Sequence, residues 1–594
     1  MSRYPIKPLP LDFVAPKQRW DHLGYYQNYT VLCQSSATGR QIHDISSQAP
    51  RIVKTIEGDQ SGPIAYGGPT ILFTRGDGQE LWLDHGQGQI KLASGGRWTH
   101  LQLDGNGHLY GLRKSHPGCY EIIKAKGPNF KTFHGIHRCE ERIIKLILDR
   151  DSDSIAWITC PPQQAPWQHS ELWLKVDQEN PPTRVAGGHN QGVFDASFGQ
   201  ERDLFYCQEL DDTGSLFHRH RLGKITRIDL QGVSLGDPRG EKTAIIANYK
   251  GPCMALGKNQ GEVRLYQISQ TTLAKTGIIP IPLTSVESIK VHENRPMEMT
   301  LVGSSPHQPL CATSLDLTNM KSTIHHLISS KEDYGPLASP RHISWNNQGR
   351  AVFGILYEPP GNPSSPPPLL VMIHPGPTQD VELSWADKGQ YFATRGYAVL
   401  YINFAGSTGH GSSYRNRLNG SLGLADVDDV ISGIRYLHSI HKANQEQVVL
   451  WGGASGGATV LNTIRKAPDL IKAGIAVFPW LDFCKVRVEA QDNEAGMLDE
   501  VLGPWPAAEA IYRERSPIHH ITRSDCALML CLSEGEPPEV LQEQESFCLA
   551  LEANSIKLTS RRYPSKKSLR NLQTFHEYYL AVESFLKGML RPSP

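Results

Sequence analysis

The sequence predicts two domains of different fold class: an N-terminal β-propeller over residues 26–332 and an α/β domain with a mostly parallel sheet over residues 333–594. The chain of 594 residues is long enough for at least two domains. Its first half consists of short strand-like runs separated by turn residues, whereas its second half alternates apolar runs with helical segments. Hydrophobic residues make up 39% and charged residues 20%, which is ordinary for a globular protein.

The first half repeats the same kind of unit. Runs such as ELWLD (80–84), HLYGL (108–112) and ELWLKV (171–176) have the apolar alternation of strands, and turns such as DGNG (104–107) separate them. Strand pairs recur about every 40–50 residues, the repeat length of a propeller blade with four strands. About 300 residues of this pattern predict seven blades, with eight as the alternative. A pair of β-sandwiches is the other fold that such a pattern allows.

The second half contains apolar runs in which every position is suited to burial. Such runs are typical of strands in a parallel sheet, which helices cover on both faces. A segment with helical spacing, Asp426–His438, lies between two of them. The strand-like runs are Ala351–Tyr357, Leu369–Ile373, Tyr397–Asn403, Gln447–Trp451, Ala473–Phe478 and Ala527–Leu532.

Composition excludes several classes of function. The chain has 60 Lys and Arg against 60 Asp and Glu, so it lacks the basic surplus of a nucleic-acid-binding protein. Eleven cysteines without a C-x-x-C pair favour reduced thiols over a disulfide framework or a zinc site. The first 20 residues lack the apolar centre of a signal peptide, and no apolar run reaches the length of a membrane span. We therefore expect a cytoplasmic protein with no nucleic-acid or membrane partner.

The most informative motif is WGGASGGA, which follows the strand that ends at Trp451. A strand, a glycine-rich turn and a helix form the context of a nucleophile elbow, in which G-x-S-x-G places a serine on a strained turn. Gly453–Gly457 matches this pattern, with Ser455 as the candidate nucleophile. The alternative is that the small residues only make a tight turn and allow close helix packing.

Five ordered segments of the second half resemble the prolyl oligopeptidase family, in particular its acylaminoacyl-peptidase and dipeptidyl-peptidase branch. They are IHPGPT (373–378), RGYAVLYINFAGSTGHG (395–411), YRNRLNGSLGLADVDDV (414–430), APDLIKAGIAVF (467–478) and LGPWPAAEAIYRERSPI (502–518). The resemblance implies an α/β-hydrolase domain after the propeller, with residues 1–25 packing on the hydrolase domain. It also implies cleavage of peptides or acyl-peptides by a Ser–Asp–His triad.

At the triad positions this chain departs from the family. The family's elbow reads W-G-G-S-Y-G-G, and the ungapped alignment puts Ala454 at the nucleophile position and Ser455 at the tyrosine. The acid position, after the strand ALMLCL, holds Glu536. The histidine position near the C-terminus holds Ser568. His576, the only histidine after residue 520, falls in a segment with helical spacing, where we expect an ordinary helix residue.

Two functions follow from these residues. The first is a pseudoenzyme that binds a peptide, acyl-peptide or protein partner without hydrolysing it, because a serine without a general base is a poor nucleophile. The alternative is an active serine peptidase or esterase that uses Ser455, with substrate between the two domains. In both cases His374, Gly376, Gly453 and Gly456 are expected at the oxyanion or pocket region. No metal or cofactor is expected, and assembly with further copies of the chain is left open.

Overall fold

The computed structural model describes residues 19–590, with gaps at 27–28, 36–38, 46–49, 58–62, 68–69, 76–77, 85–87, 117, 128–129, 151, 211–212, 231–232, 236–242, 248–250, 260–261, 293–294, 328–335, 362–364, 491 and 521–524. The chain divides into two compact units, one over Gln18–Ser329 and one that includes Ser330–Pro594. The predicted N-terminal segment, residues 1–25, falls mostly outside the described residues.

The first unit is a seven-bladed β-propeller, as predicted. Within the described residues its strands form seven antiparallel sheets, each a meander of four strands except the sixth, which has five. The first three blades are β1 (Arg19–Tyr26), β2 (Tyr29–Ser35), β3 (Gly39–Asp44) and β4 (Arg51–Glu57); β5 (Ile64–Gly67), β6 (Thr70–Arg75), β7 (Glu80–Asp84) and β8 (Gln89–Ser94); and β9 (Arg97–Leu103), β10 (Leu109–His116), β11 (Cys119–Ala125) and β12 (Phe133–Cys139).

The remaining four blades follow in the same order along the chain. They are β13 (Arg142–Leu148), β14 (Ile155–Cys160), β15 (Glu171–Lys175) and β16 (Thr183–Gly187), with helix α1 (Pro166–His169) after β14; β17 (Val193–Phe198), β18 (Leu204–Leu210), β19 (Thr213–Arg219) and β20 (Ile225–Ile228); β21 (Ser234–Leu235), β22 (Ile245–Ala247), β23 (Cys253–Asn259), β24 (Glu262–Ile268) and β25 (Lys275–Ile279); and β26 (Ser285–His292), β27 (Arg295–Ser305), β28 (Gln308–Asp316) and β29 (Lys321–His326).

Neighbouring blades share their apolar cores. Leu72 and Leu81 of the second blade, for example, pack in one buried cluster with Trp98 and Ile123 of the third. Each blade alone exposes an apolar face, so stacking against its neighbours is what buries that face.

The predicted start of the propeller needs a correction, because β1 already begins at Arg19. This strand pairs with β2, and its register shifts between Asp21 and Gly24. A bulge of this kind interrupts the two-residue alternation by which strands are recognised in a sequence.

The second unit is an α/β domain around one eight-stranded sheet. Its spatial order is β30-β31-β33-β32-β34-β35-β36-β37, with the pairs from β33 to β37 parallel and the first two pairs antiparallel. The strands are β30 (Arg341–Asn347), β31 (Arg350–Tyr357), β32 (Leu369–Ile373), β33 (Ala398–Asn403), β34 (Val448–Gly453), β35 (Ala473–Val477), β36 (Ala527–Ser533) and β37 (Lys557–Tyr563). All residues of β32 and β36 are buried, and their sequences are correspondingly apolar except for Ser533 at the end of β36.

Helices cover both faces of this sheet, so the doubly wound fold predicted from the sequence is confirmed. The helices are α2 (Asp387–Ala393), α3 (Ser412–Asn416), α4 (Ala425–Ser439), α5 (Ser455–Lys466), α6 (Phe483–Glu489), α7 (Asp492–Leu502), α8 (Glu509–Arg515), α9 (Pro538–Ala553) and α10 (Leu572–Met589). One buried core lies against α4, α5 and α9, and a second, rich in aromatic residues, lies against α2 and α10. The carboxyl ends of the parallel strands meet at one edge, where ligands bind in open α/β sheets.

Among the described residues, no helix combines the length and the apolar character that crossing a bilayer would need.

Candidate active site

Ala454 forms the apex of the turn between β34 and α5. Its backbone has φ 49° and ψ −118°, a conformation that residues with a side chain rarely adopt. Its N–H donates to the carbonyl oxygen of Val477 at 3.1 Å, and its carbonyl oxygen accepts from the N–H of Trp480 at 3.1 Å. The strained turn of a nucleophile elbow is therefore present, and a methyl group stands at its apex.

The glycines around the apex differ in why they are needed. A Cβ on Gly456 would lie 2.6 Å from the carbonyl oxygen of Ile373 and 2.7 Å from that of His374. A Cβ on Gly452 would lie 2.3 Å from the carbonyl oxygen of Gly456. At Gly453 the nearest atom, the carbonyl oxygen of Val477, would be 3.5 Å away, an ordinary contact. Close packing of α5 on the end of β32 thus requires glycine at 456, and close approach of β34 to the start of α5 requires glycine at 452. Tight packing, the alternative drawn from the sequence, therefore explains part of the motif.

Ser455 is the first residue of α5, and only 1% of its surface is exposed. Its hydroxyl oxygen has no hydrogen-bond partner among the residues that the structure describes. A serine nucleophile needs a general base within hydrogen-bond reach. No described histidine occupies that position beside Ser455.

The loop after β32 holds His374 firmly. Its Nε2 lies 2.8 Å from the hydroxyl oxygen of Ser407, and its Nδ1 lies 2.8 Å from the carbonyl oxygen of Pro375. The ring also stacks on Phe404 with 4.3 Å between centroids. Because the carbonyl can only accept, Nδ1 carries the proton and Nε2 accepts from Ser407. Gly376 follows with φ 137°, a conformation that favours glycine.

Glu536 and Ser568 have partners other than a histidine. The Glu536 carboxylate lies 3.1 Å from the ammonium of Lys566. The Ser568 hydroxyl accepts from the backbone N–H of Ser565 at 3.0 Å and lies 3.1 Å from the Ser565 hydroxyl. These bonds form a capping box for the short 3₁₀ turn over Lys566–Arg570. His576 lies on α10, where its spacing predicts it.

A cavity of about 100 Å³, called here the elbow cavity, lies beside the segment after β35 that is bonded to the elbow apex. Trp480 lines it together with the Glu536–Lys566 pair. The backbone N–H of this residue donates to the carbonyl oxygen of Ala454 at the apex. Leu481 and Val540 contribute apolar surface. The structure thus brings Glu536 to the same cavity as the segment after β35. Sequence analysis did not assign Trp480 or Lys566 to a pocket, although Trp480 follows the carboxyl end of a parallel strand, a signal that could have found it.

Comparison with known proteins finds relatives of the α/β domain. The sequence profile of the prolyl oligopeptidase family matches residues 384–590. Among curated proteins, dipeptidyl aminopeptidase BIII of Pseudoxanthomonas mexicana is 25% identical over 235 residues, which are 39% of this chain and 32% of that protein. Dipeptidyl peptidase family member 6 of Caenorhabditis elegans is 27% identical over 270 residues, 43% and 35% respectively. The human acylamino-acid-releasing enzyme is 25% identical over 245 residues, 38% and 32%.

These matches span about a third of the length of each curated relative. Solved structures match nearly the whole chain. A puromycin-hydrolysing peptidase of Mycobacterium tuberculosis has a TM-score of 0.83 at 19% identity, covering 98% of this chain and 96% of that one. An acylaminoacyl peptidase of Pyrococcus horikoshii has a TM-score of 0.71 at 16% identity, covering 97% and 96%. At such identities the likeness concerns the fold. The match to the prolyl oligopeptidase family thus lies within the α/β domain, over residues 384–590.

Proposed function

We propose that this protein is a family member without hydrolase activity that binds a peptide or acyl-peptide at the elbow cavity. The observation that carries the proposal is Ala454 at the strained apex, where a methyl group stands in place of a nucleophile. The names of the curated relatives, dipeptidyl peptidases and acylamino-acid-releasing enzymes, support peptides as the ligand class.

The chemistry of acyl transfer supports the loss of hydrolysis. Attack on a carbonyl requires a nucleophilic oxygen, a base that accepts its proton and a group that orients the base. The aligned positions hold Ala454, Ser568 and Glu536, and the glutamate pairs with Lys566. Members of a triad act as a unit, so restoring one of them regains little activity.

Binding does not depend on those groups. The cavity keeps two aromatic residues, Phe478 and Trp480, apolar walls and two ion pairs, Glu536–Lys566 and Lys485–Glu543, and such a mixture is typical of a ligand pocket. The Trp480 side chain supplies a large apolar surface, and such rings contribute strongly to binding. We therefore assign the retained pocket a binding role.

The alternative is an active peptidase or esterase that uses Ser455. Its support is the literal G-x-S-x-G match at Gly453–Gly457 and the peptidase names of the relatives. It requires Ser455 to become accessible and to acquire a base, since the hydroxyl is buried and without a partner among the described residues.

Labelling with a serine-directed fluorophosphonate separates the two functions. We expect no labelling of the wild-type protein or of Ala454→Ser. The pair Ala454→Ser with Ser568→His should give a detectable signal, and adding Glu536→Asp should increase it. Ser455→Ala is the matched control and should change nothing. Labelling of the wild type that disappears in Ser455→Ala, together with turnover of a peptide, would establish the active alternative.

The binding half has its own test. We expect N-acetyl-alanyl-phenylalanine amide to bind the wild-type protein in isothermal titration calorimetry. Trp480→Ala should weaken binding roughly tenfold, because an aromatic anchor in a pocket is commonly worth more than 1 kcal/mol. Absence of binding, or equal binding by the Trp480 variant, would refute the assignment of this pocket to peptides.

A further inference from the structure

A second cavity, of about 580 Å³, lies in the aromatic layer of the α/β domain. It is bounded by the ends of β32 and β34, where His374 and Gly453 line it, and by α2 and α10. It shares no lining residue with the elbow cavity. Five aromatic side chains line it: Tyr401, Trp451, Phe575, Tyr578 and Tyr579. Trp451 and the two tyrosines of α10 also belong to the buried core of that layer. The cavity is therefore walled by rings held in place by tight packing.

Lys388 on α2 is the one lysine in this wall. Its Nζ stands 4.7 Å from the centroid of the Trp451 ring. Within the described part of the chain, no hydrogen bond or ion pair reaches that ammonium. The neighbouring carboxylate, Asp387, instead accepts a hydrogen bond from the indole N–H of Trp385 at 2.5 Å.

Keeping the Lys388 ammonium charged in these surroundings costs free energy. Removing a charge from water without pairing it destabilises the charged form, and the contact with Trp451 offsets only part of that. Consistent with this, burial lowers the pKa of Lys388 to about 8. Other lysines of this domain are paired, such as Lys485 with Glu543 and Lys466 with Asp428. Among the residues that the structure describes, Lys388 thus lacks an anion paired with its ammonium.

We propose that this cavity binds a small carboxylic acid with an apolar body, its carboxylate paired with Lys388 and its body against the aromatic rings. A single ammonium matches one negative charge, so a monoanionic carboxylate fits better than a phosphate dianion, which calls for several donors. The rings favour an apolar body of aromatic size. Because the two cavities share no lining residue, binding of a carboxylic acid here can be tested independently of peptide binding in the elbow cavity.

The test uses 4-phenylbutyrate as the probe and its neutral isostere 4-phenylbutanamide, titrated calorimetrically into the full-length protein at pH 7. We expect the acid to bind the wild type and to bind Lys388→Met at least tenfold more weakly, because the variant loses the charge-assisted hydrogen bond to the carboxylate. The amide should bind both proteins alike. Lys587→Met, which removes an exposed lysine of α10, is the matched control and should bind the acid as the wild type does.

Three results would overturn the proposal: no binding of the acid to the wild type, equal affinity of the acid for wild type and Lys388→Met, or equal affinity of the wild type for the acid and the amide. Circular dichroism shows whether each variant is folded. Lys388→Gln removes the same charge but keeps a polar side chain. If Lys388→Met does not fold, the affinity of Lys388→Gln for the acid is measured instead.

Discussion

The amine of Lys388 predicts an unusual stability profile, in which removing a charged residue stabilises the protein at neutral pH. Burial lowers the pKa of this group from its ordinary value of 10.5 to about 8. Between those two pH values the unfolded chain holds a proton that the folded chain has released. The free energy of unfolding of the wild type therefore rises with pH across this window, and below it the folded state carries the full penalty of a desolvated ammonium.

The size of the penalty follows from the same pKa. A fall from 10.5 to about 8 corresponds to roughly 3 kcal/mol. The contact with the Trp451 ring offsets roughly 1 kcal/mol of this penalty. We expect Lys388→Met to be about 2 kcal/mol more stable than the wild type at pH 7, with the gain shrinking above pH 8 and nearly gone by pH 10.5.

The other titratable groups of the cavity do not disturb this comparison. They are His374 in the loop after β32, Asp387 on α2, Tyr401 on β33, and Tyr578 and Tyr579 on α10. Burial holds the pKa of each of the three tyrosines well above its usual value, so their hydroxyls stay neutral throughout the window. All five groups are present in both proteins, and their contributions cancel in the difference.

The assay is urea unfolding at pH 7, 8.5 and 10, followed by far-ultraviolet circular dichroism, with Lys587→Met as the control. Lys587 is 73% exposed, so its removal should change stability by less than about 0.5 kcal/mol at any of these pH values. A gain for Lys388→Met that is constant with pH, or a loss of stability at pH 7, would refute the reasoning, because either result means that the amine is not desolvated in the folded state.

Two further predictions concern the elbow and the helix before it. Ala454→Gly should raise the free energy of unfolding by about 1 kcal/mol, because relief of backbone strain (~1–3 kcal/mol) exceeds the entropy cost of glycine (~0.5–1 kcal/mol). Ala458→Gly within α5 is the control and should lower the free energy of unfolding. Thermal unfolding measures both. Burial raises the pKa of Asp426 to about 6, although its carboxylate accepts from the Thr459 hydroxyl at 2.6 Å. The free energy of unfolding of the wild type should therefore fall relative to that of Asp426→Asn by roughly 2–3 kcal/mol as pH rises from about 4 to 7. Urea unfolding measures this difference, and a difference that does not change with pH would contradict the prediction.

Much of this protein could be predicted from its sequence because the relevant signals are local. Strands buried on both faces are uniformly apolar, so the runs at 369–373 and 527–532 indicated a covered parallel sheet before any contact was known. The repeat of short strands predicted the seven blades, since each blade is a chain-local meander. The segments of family resemblance led to the same α/β domain that the family profile matches.

The partners of individual side chains were decided by tertiary structure. Three such features depend on segments far apart in the chain: Glu536 pairs with Lys566, the Ser455 hydroxyl is buried, and Lys388 faces an aromatic ring without a counter-ion among the described residues. The sequence also predicted the start of the first strand too far along the chain. A bulge in the pairing of β1 with β2 interrupts the alternation of apolar residues in β1. Alternation, turn residues and glycines act over a few neighbouring residues, so a sequence displays them directly. A charge's partner and its exclusion from water depend on which distant elements the fold brings together.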